Sequence, residues 1–174
     1  MFQWFDILLI TAFGLGFYQY HVHIRRRILY IRLGVLFFYS LYFYFYGAMA
    51  GAIVSGISFF AVLTQIILPE TQEKKKLPLR HIVACCFAVI GVFAAYEGHS
   101  DLLPLMGIII ARFSEAQNHP QHMRYGFIGS ILCWIFYSFD QEMWMALIVD
   151  IILLFSNFWA IQRFSSILKQ AKTN

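Results

Sequence analysis

The sequence predicts an all-α integral membrane protein with seven transmembrane helices, and three observations support this fold class. First, 60% of the 174 residues are hydrophobic and only 13% are charged, whereas soluble domains have about 25% charged residues. Second, seven apolar segments come close to the roughly 17–25 residues that a transmembrane helix needs. Third, if all seven segments cross the membrane, the 13 Lys and Arg residues all fall on one side.

The predicted spans, in chain order, are residues 5–22, 28–46, 48–69, 81–97, 101–116, 123–139 and 143–164. The first is expected to stay in place, because a signal peptide carries its positive charge before the apolar run and Arg25 follows it. A tight turn containing Gly47 separates the second and third spans. The fifth span is the weakest, since its apolar core is short and contains Pro104.

Charge predicts the orientation of these spans. Basic residues in short connections mark the cytoplasmic side, so the N-terminus is expected outside and the C-terminus in the cytoplasm. The runs HIRRR (23–27) and EKKK (73–76) are expected to contact anionic lipid headgroups. Nothing else in the sequence indicates binding to nucleic acid.

The two halves of the chain show a weak internal repeat. A shift of 95 positions lays residues 33–60 over residues 128–155, matching for example Tyr42 with Tyr137. The repeat predicts a three-helix unit at 1–69, a basic loop with a linker helix at 70–100, and a second three-helix unit with a short tail at 101–174. Two parallel units related by an axis along the membrane normal would follow.

Asp150 is the central candidate for a functional residue, because it interrupts the apolar run ALIVDIILLFSNF (146–158). A carboxylate at that depth costs about 3 kcal/mol on insertion scales. An acidic residue at this depth indicates either a substrate or proton site between the units or a buried hydrogen bond between helices. Asn157 lies seven residues on, on nearly the same helical face, and either binds a ligand or bonds to another helix.

Three further candidates follow from the overlay of the two halves, which places Asp150 on Ser55 and Trp134 on Tyr39. Tyr39 and Trp134 lie deep enough to line a pocket, although packing explains them equally well. Ser55 belongs to a stripe of small residues at four-residue spacing, a pattern that is more typical of close helix packing.

No feature indicates catalysis, a cofactor or a bound metal. The sequence contains no paired nucleophile and base and no Gly-rich phosphate loop, so the protein is not expected to be an enzyme. The three cysteines lie in apolar runs without metal-ligand spacing. Two pairs of histidines lack a third ligand: His21 with His23, and His119 with His122.

The 3+1+3 plan resembles that of the SWEET sugar transporters and the wider PQ-loop and KDEL-receptor group. The segments 101–113, 124–139 and 145–164 more closely resemble the YgjV-type bacterial inner-membrane proteins, which implies location in the bacterial inner membrane. The SWEET resemblance implies a central pocket lined by Tyr39, Ser55, Trp134 and Asp150, with Asn157 as a further candidate.

The expected function is transport of a small polar solute, by alternating access around a midplane site. Asp150 would hold a polar or cationic group or a proton, Trp134 and Tyr39 would stack on the ligand, and Asn157 would hydrogen-bond it. One alternative is a membrane protein that binds a ligand or acts as a scaffold without transport, like the KDEL receptors. Another is an accessory subunit whose polar residues only join helices. The expected partners are the lipid bilayer and the solute, and homo-oligomer formation stays open.

Overall fold

The computed structural model describes residues 3–67, 77–96, 101–117 and 119–173, and these residues are helical with no β-strand among them. Each of the seven predicted segments contains a described helix. The helices are α1 (Asp6–Tyr20), α2 (Arg25–Tyr46), α3 (Met49–Ile67), α4 (Leu77–Ala95), α5 (Leu102–Ala116), α6 (Pro120–Asp140) and α7 (Trp144–Thr173). The EKKK run at 73–76, which is predicted to contact lipid headgroups, lies outside the described residues.

Three of the described helices are both long and apolar enough to cross a membrane: α2, α3 and the Trp144–Ser165 part of α7. Helices α1 and α5 have 15 residues each, or about 22 Å at 1.5 Å per residue. They are shorter than the roughly 30 Å hydrocarbon core of a bilayer. Helices α4 and α6 are not among the three candidate spans either. Crossing of the membrane by α1, α4, α5 and α6 therefore stays a prediction.

The described residues place large apolar side chains on the outside and many polar ones inside. Phe93, Phe155 and Trp159 are 84%, 69% and 67% exposed, respectively. By contrast Gln19, Glu115 and other polar or charged residues are almost fully buried. An apolar exterior of this extent is suited to lipid or to a protein partner.

Six of the helices are neighbours in a closed order. Along the chain, α1 packs on α2 and α2 on α3, and likewise α5 packs on α6 and α6 on α7. Contacts of α3 with α5 and of α1 with α7 close the ring, whereas α4 packs against α3 and α5. The helices that begin and end the chain are therefore in direct contact.

A tight turn joins α2 to α3 as the sequence predicts. Gly47 ends α2 with φ 89°, a left-handed conformation that glycine adopts without steric cost. The Ala48 N–H donates to the Phe43 carbonyl at 3.0 Å, and the Met49 N–H donates to the Gly47 carbonyl at 3.0 Å. This pattern satisfies carbonyls that the end of the helix leaves free.

The same turn recurs between α6 and α7, 95 residues later. Glu142 takes the place of Gly47 and is the one non-glycine residue with positive φ in the described chain, at 54°. The Met143 N–H donates to the Ser138 carbonyl at 2.8 Å, and the Trp144 N–H donates to the Glu142 carbonyl at 3.0 Å. Helices α5, α6 and α7 also begin within one residue of the positions 95 residues after the starts of α1, α2 and α3.

Candidate functional site

A small cavity of about 40 Å³ lies among the six helices of the ring. Every one of these helices contributes at least one lining residue, and α4 contributes none to the part described. The volume corresponds to roughly one to three ordered water molecules. The cavity therefore holds only water-sized space and would have to widen to admit a larger solute.

Four of the five residues singled out from the sequence line this cavity: Tyr39, Ser55, Trp134 and Asp150. They come from α2, α3, α6 and α7, so each half of the chain contributes two of them. Ser55 and Asp150 are only 1% and 5% exposed, so both side chains are buried. The fold thus brings together the residues that the overlay of the two halves paired.

Asp150 receives two hydrogen bonds from hydroxyl groups. Its Oδ1 accepts from the Tyr39 hydroxyl at 3.2 Å, and its Oδ2 accepts from the Ser138 hydroxyl at 3.4 Å. Hydrogen bonds from a hydroxyl to a carboxylate are ordinarily much shorter, at about 2.5–2.7 Å. The buried carboxylate is consequently only loosely satisfied, and it borders the cavity.

Aromatic rings form one wall of the cavity. The Trp134 ring stacks on Phe43 with centroids 5.4 Å apart and planes at 13°. Tyr39 also stacks on Phe43, at 5.7 Å and 23°. Gly107 allows α5 to approach this wall, because a Cβ there would lie 3.3 Å from the Trp134 Nε1. The two candidate stacking residues are thus held by a third aromatic ring.

Asn157 does not line the cavity. Its side chain is fully buried, and its Nδ2 donates to the Arg124 carbonyl on α6 at 2.9 Å. Its Oδ1 has no hydrogen-bond partner among the described residues. Of the two roles that the sequence left open, the geometry favours a bond between helices over contact with a ligand in this cavity.

Arg32 also lines the cavity, and sequence analysis did not single it out. Its side chain is 13% exposed, and its Nε lies 3.5 Å from Glu115 Oε1. The guanidinium also sits over the Phe127 ring, 5.2 Å from the centroid. A signal was available in the sequence, because Arg32 lies seven residues before Tyr39 and therefore on nearly the same face of α2.

Glu115 and Arg112 form a second buried feature that sequence analysis missed. Arg112 binds both carboxylate oxygens of Glu115, at 2.8 Å to Oε1 and 2.6 Å to Oε2. The same guanidinium donates to the Ser58 carbonyl on α3 at 3.0 Å. The three-residue spacing of Arg112 and Glu115, at which side chains on a helix meet, could have revealed the pair.

The expectation that the HIRRR run faces lipid headgroups is corrected at Arg25. This residue is only 5% exposed, and it donates to the backbone carbonyls of Gln117 and Glu115, each at 2.8 Å. Arg26 and Arg27 are exposed, and their contact with lipid headgroups stays a prediction. Buried carbonyls near the end of α5 draw Arg25 inward, because an unpaired buried carbonyl is costly.

Most of the cavity lining consists of positions that recur 95 residues apart. Seven such pairs are present, so both halves of the chain contribute equivalent places. The pairs are Gly16 with Ala111, Arg32 with Phe127, Val35 with Ser130, Leu36 with Ile131, Tyr39 with Trp134, Ser55 with Asp150 and Ser58 with Leu153.

An apolar exterior, spans of membrane-crossing length and buried polar side chains between the helices together define an α-helical membrane protein. The family model Imp-YgjV, described as "Bacterial inner membrane protein", matches residues 4–167. The chain therefore belongs to this family of bacterial inner membrane proteins. Searches of the curated proteins and of the solved structures each find no match.

Proposed function

We propose that this protein carries a small polar solute across the inner membrane, with the cavity around Asp150 as its binding site. The observation that carries the proposal is a loosely satisfied, buried carboxylate in a cavity lined from both halves of the chain. All seven helices cross the membrane, with the N-terminus outside and the C-terminus in the cytoplasm. The protein binds and moves its solute without catalysing a reaction.

The proposal treats α1–α3 and α5–α7 as two parallel repeats joined by α4. Exchanging the repeats turns the contact of α1 with α7 into that of α5 with α3, and both contacts exist. The matching turns at Gly47 and Glu142 support the same relationship. Carriers built from repeats bind substrate near the midplane, at the interface between the repeats.

A purely structural role explains Asp150 less well. An ionisable group inside a membrane is costly, and such residues commonly mark pathways for substrates, ions or protons. A residue kept only to join helices would be expected to make short, well-formed hydrogen bonds. The distances of 3.2 and 3.4 Å instead leave room for a ligand group to complete the coordination of the carboxylate.

In alternating access, the two repeats would rock about the cavity. The interfaces that must open are the contact of α1 with α7 and that of α3 with α5, because these join the repeats. The small volume of the cavity suits an occluded state between the two open ones. Polar solutes would enter only after one of these interfaces separates.

Counterflow in reconstituted vesicles tests the proposal. Vesicles loaded with a panel of unlabelled amino acids, amines and sugars are diluted into buffer containing each labelled compound in turn. We expect transient accumulation of at least one compound with the wild-type protein and its loss in Asp150→Asn. Asp140→Asn is the matched control, since Asp140 is exposed at the end of α6.

Undiminished counterflow in the Asp150→Asn variant would contradict the proposed site. The same panel is applied in a thermal-shift assay on purified protein, where a bound compound raises the melting temperature. Stabilisation by a compound that shows no counterflow would instead indicate a ligand-binding membrane protein without transport.

A further inference from the structure

The charges in the cavity form a dipole. Among the described lining residues, Arg32 and Asp150 are the two charged side chains, and they have opposite signs. No ion pair joins them in the described part of the chain, where the carboxylate nearest to Arg32 is that of Glu115. The site thus has a cationic pole and an anionic pole.

Arg32 has unused hydrogen-bonding capacity. A guanidinium has five N–H donors, and within the described residues the ion-pair contact of Arg32 is the long one from its Nε to Glu115 Oε1, at 3.5 Å. Its nearest carboxylate, Glu115, is already bound at both oxygens by Arg112. Two guanidinium groups therefore share one carboxylate, and the one that borders the cavity is the one left short of acceptors.

The two poles are separated by a distance that one small molecule can span. Arg32 and Tyr39 lie seven residues apart on α2, or about 10 Å along the helix axis. Long side chains on a helix all lean towards its N-terminus, so the Arg32 guanidinium and the Tyr39 hydroxyl, with Asp150 beside it, keep roughly this separation. Stacked aromatic rings, those of Tyr39, Phe43 and Trp134, lie in the wall of the same cavity.

The repeat shows that this dipole is a local departure from symmetry. The position equivalent to Arg32 is Phe127, and the position equivalent to Asp150 is Ser55. A cavity with matched halves would carry each charge twice. Here each repeat supplies one charge of a different sign, as a ligand with two unlike ends would require.

We infer that the solute is a small zwitterion, whose ammonium group binds Asp150 and whose carboxylate binds Arg32. Guanidinium groups bind carboxylates through paired, charge-assisted hydrogen bonds. The ammonium group replaces the long hydroxyl contacts of Asp150 with shorter bonds. This inference rests on the proposed function and specifies the chemical class of its substrate.

The test compares three kinds of probe of the same carbon skeleton: an amino acid, its amide, which lacks the carboxylate, and the acid that lacks the amino group. Skeletons with one to four carbons between the two charged groups cover a range of spacings. Binding is measured on purified protein by thermal shift and by competition with counterflow. We expect the zwitterion of one length to bind roughly tenfold or more tightly than either partner compound.

Substitutions then assign each pole. Arg32→Gln should reduce binding of the zwitterion to that of the amide while leaving the amide unaffected. Asp150→Asn should reduce binding of the zwitterion to the level of the acid. Arg27→Gln is the matched control, since Arg27 is an exposed residue on the same helix.

A double variant, Arg32→Gln with Glu115→Gln, separates ligand binding from structural pairing. If Arg32 only neutralises Glu115, removing both charges restores binding of the zwitterion and the inference is wrong. If Arg32 binds the solute, binding of the zwitterion stays lost while binding of the amide, which depends on Asp150, is kept. Equal binding of zwitterion and amide, or no binding by any zwitterion, also overturns the inference. Counterflow of an amine that is lost in Asp150→Asn would leave the proposed carrier function intact.

Discussion

Arg124 connects three parts of the molecule through a single buried side chain. Its Nε donates to the Tyr20 carbonyl at 3.1 Å, and its Nη2 donates to the Val22 carbonyl at 2.7 Å. Its Nη1 donates to Gln121 Oε1 at 2.8 Å. The guanidinium also lies 4.3 Å from the centre of the Phe164 ring. It therefore fixes the connection between α1 and α2 against α6 and α7.

Replacing Arg124 with Lys should destabilise the protein. Lysine keeps the charge but lacks the planar fork that donates in three directions, so buried carbonyls lose their partners at about 1–3 kcal/mol. The melting temperature of the purified protein in detergent measures the effect. Arg26→Lys, at an exposed position of α2, should leave it unchanged, and an equal loss in both variants would contradict the role assigned to Arg124.

Individual residues show which part of the site the sequence reveals. Asp150 stands out because it is charged within an apolar run, and the overlay of the halves then points to Tyr39, Ser55 and Trp134. Arg32 was missed because a basic residue near the end of a span is ordinarily explained by the charge rule for topology. Its position in the cavity depends on how α2 meets α5 and α6, and that packing is not written in the composition of any one segment.

At the scale of single elements, the two equivalent turns offer a direct test of the repeat. Gly47 and Glu142 both have positive φ, at 89° and 54°. A side chain in this conformation costs roughly 1–2 kcal/mol relative to glycine. A Cβ on Gly47 would meet nothing within 4 Å, so a substitution there changes backbone energy without adding a clash.

Opposite changes at the two turns should have opposite effects on stability. Glu142→Gly should raise the free energy of unfolding by about 1 kcal/mol, and Gly47→Ala should lower it by a similar amount. Thermal unfolding in detergent measures both. Glu142→Ala removes the charge but keeps a Cβ, so it should give no comparable gain. Stabilisation equal to that of glycine would show that the charge, rather than the backbone, is responsible.

The elements themselves were largely predictable, because apolar segments of this length fold as helices whether or not they all cross lipid. Their beginnings and ends match the predicted spans to within four residues, for example Met49–Ile67 against 48–69, except that α7 continues to Thr173, nine residues beyond the predicted end at 164. The order in which the helices pack was not predictable residue by residue. The contact of α1 with α7 joins segments more than 120 residues apart, and local periodicity contains no information about such a contact.

At the scale of the whole molecule, the proposed orientation depends on where the basic residues lie. Arg25, Arg112 and Arg124 are buried, so they act as parts of the protein interior and not only as topology signals. The exposed Arg26 and Arg27 at the start of α2 still favour the cytoplasm for that end of the helix. The turns at Gly47 and Glu142 should then both face the outside.

Reporter fusions test this arrangement. A fluorescent protein that folds only in the cytoplasm should fluoresce when fused after Asn174, and a phosphatase that is active only outside should be inactive there. After truncation at Glu142, in the turn before α7, the two reporters should exchange, because α7 is apolar and long enough to cross the bilayer once. The reverse pattern at both sites would invert the orientation. The same reporter active at both sites would mean that α7 does not cross, and Asp150 would then lose the membrane environment on which its proposed role depends.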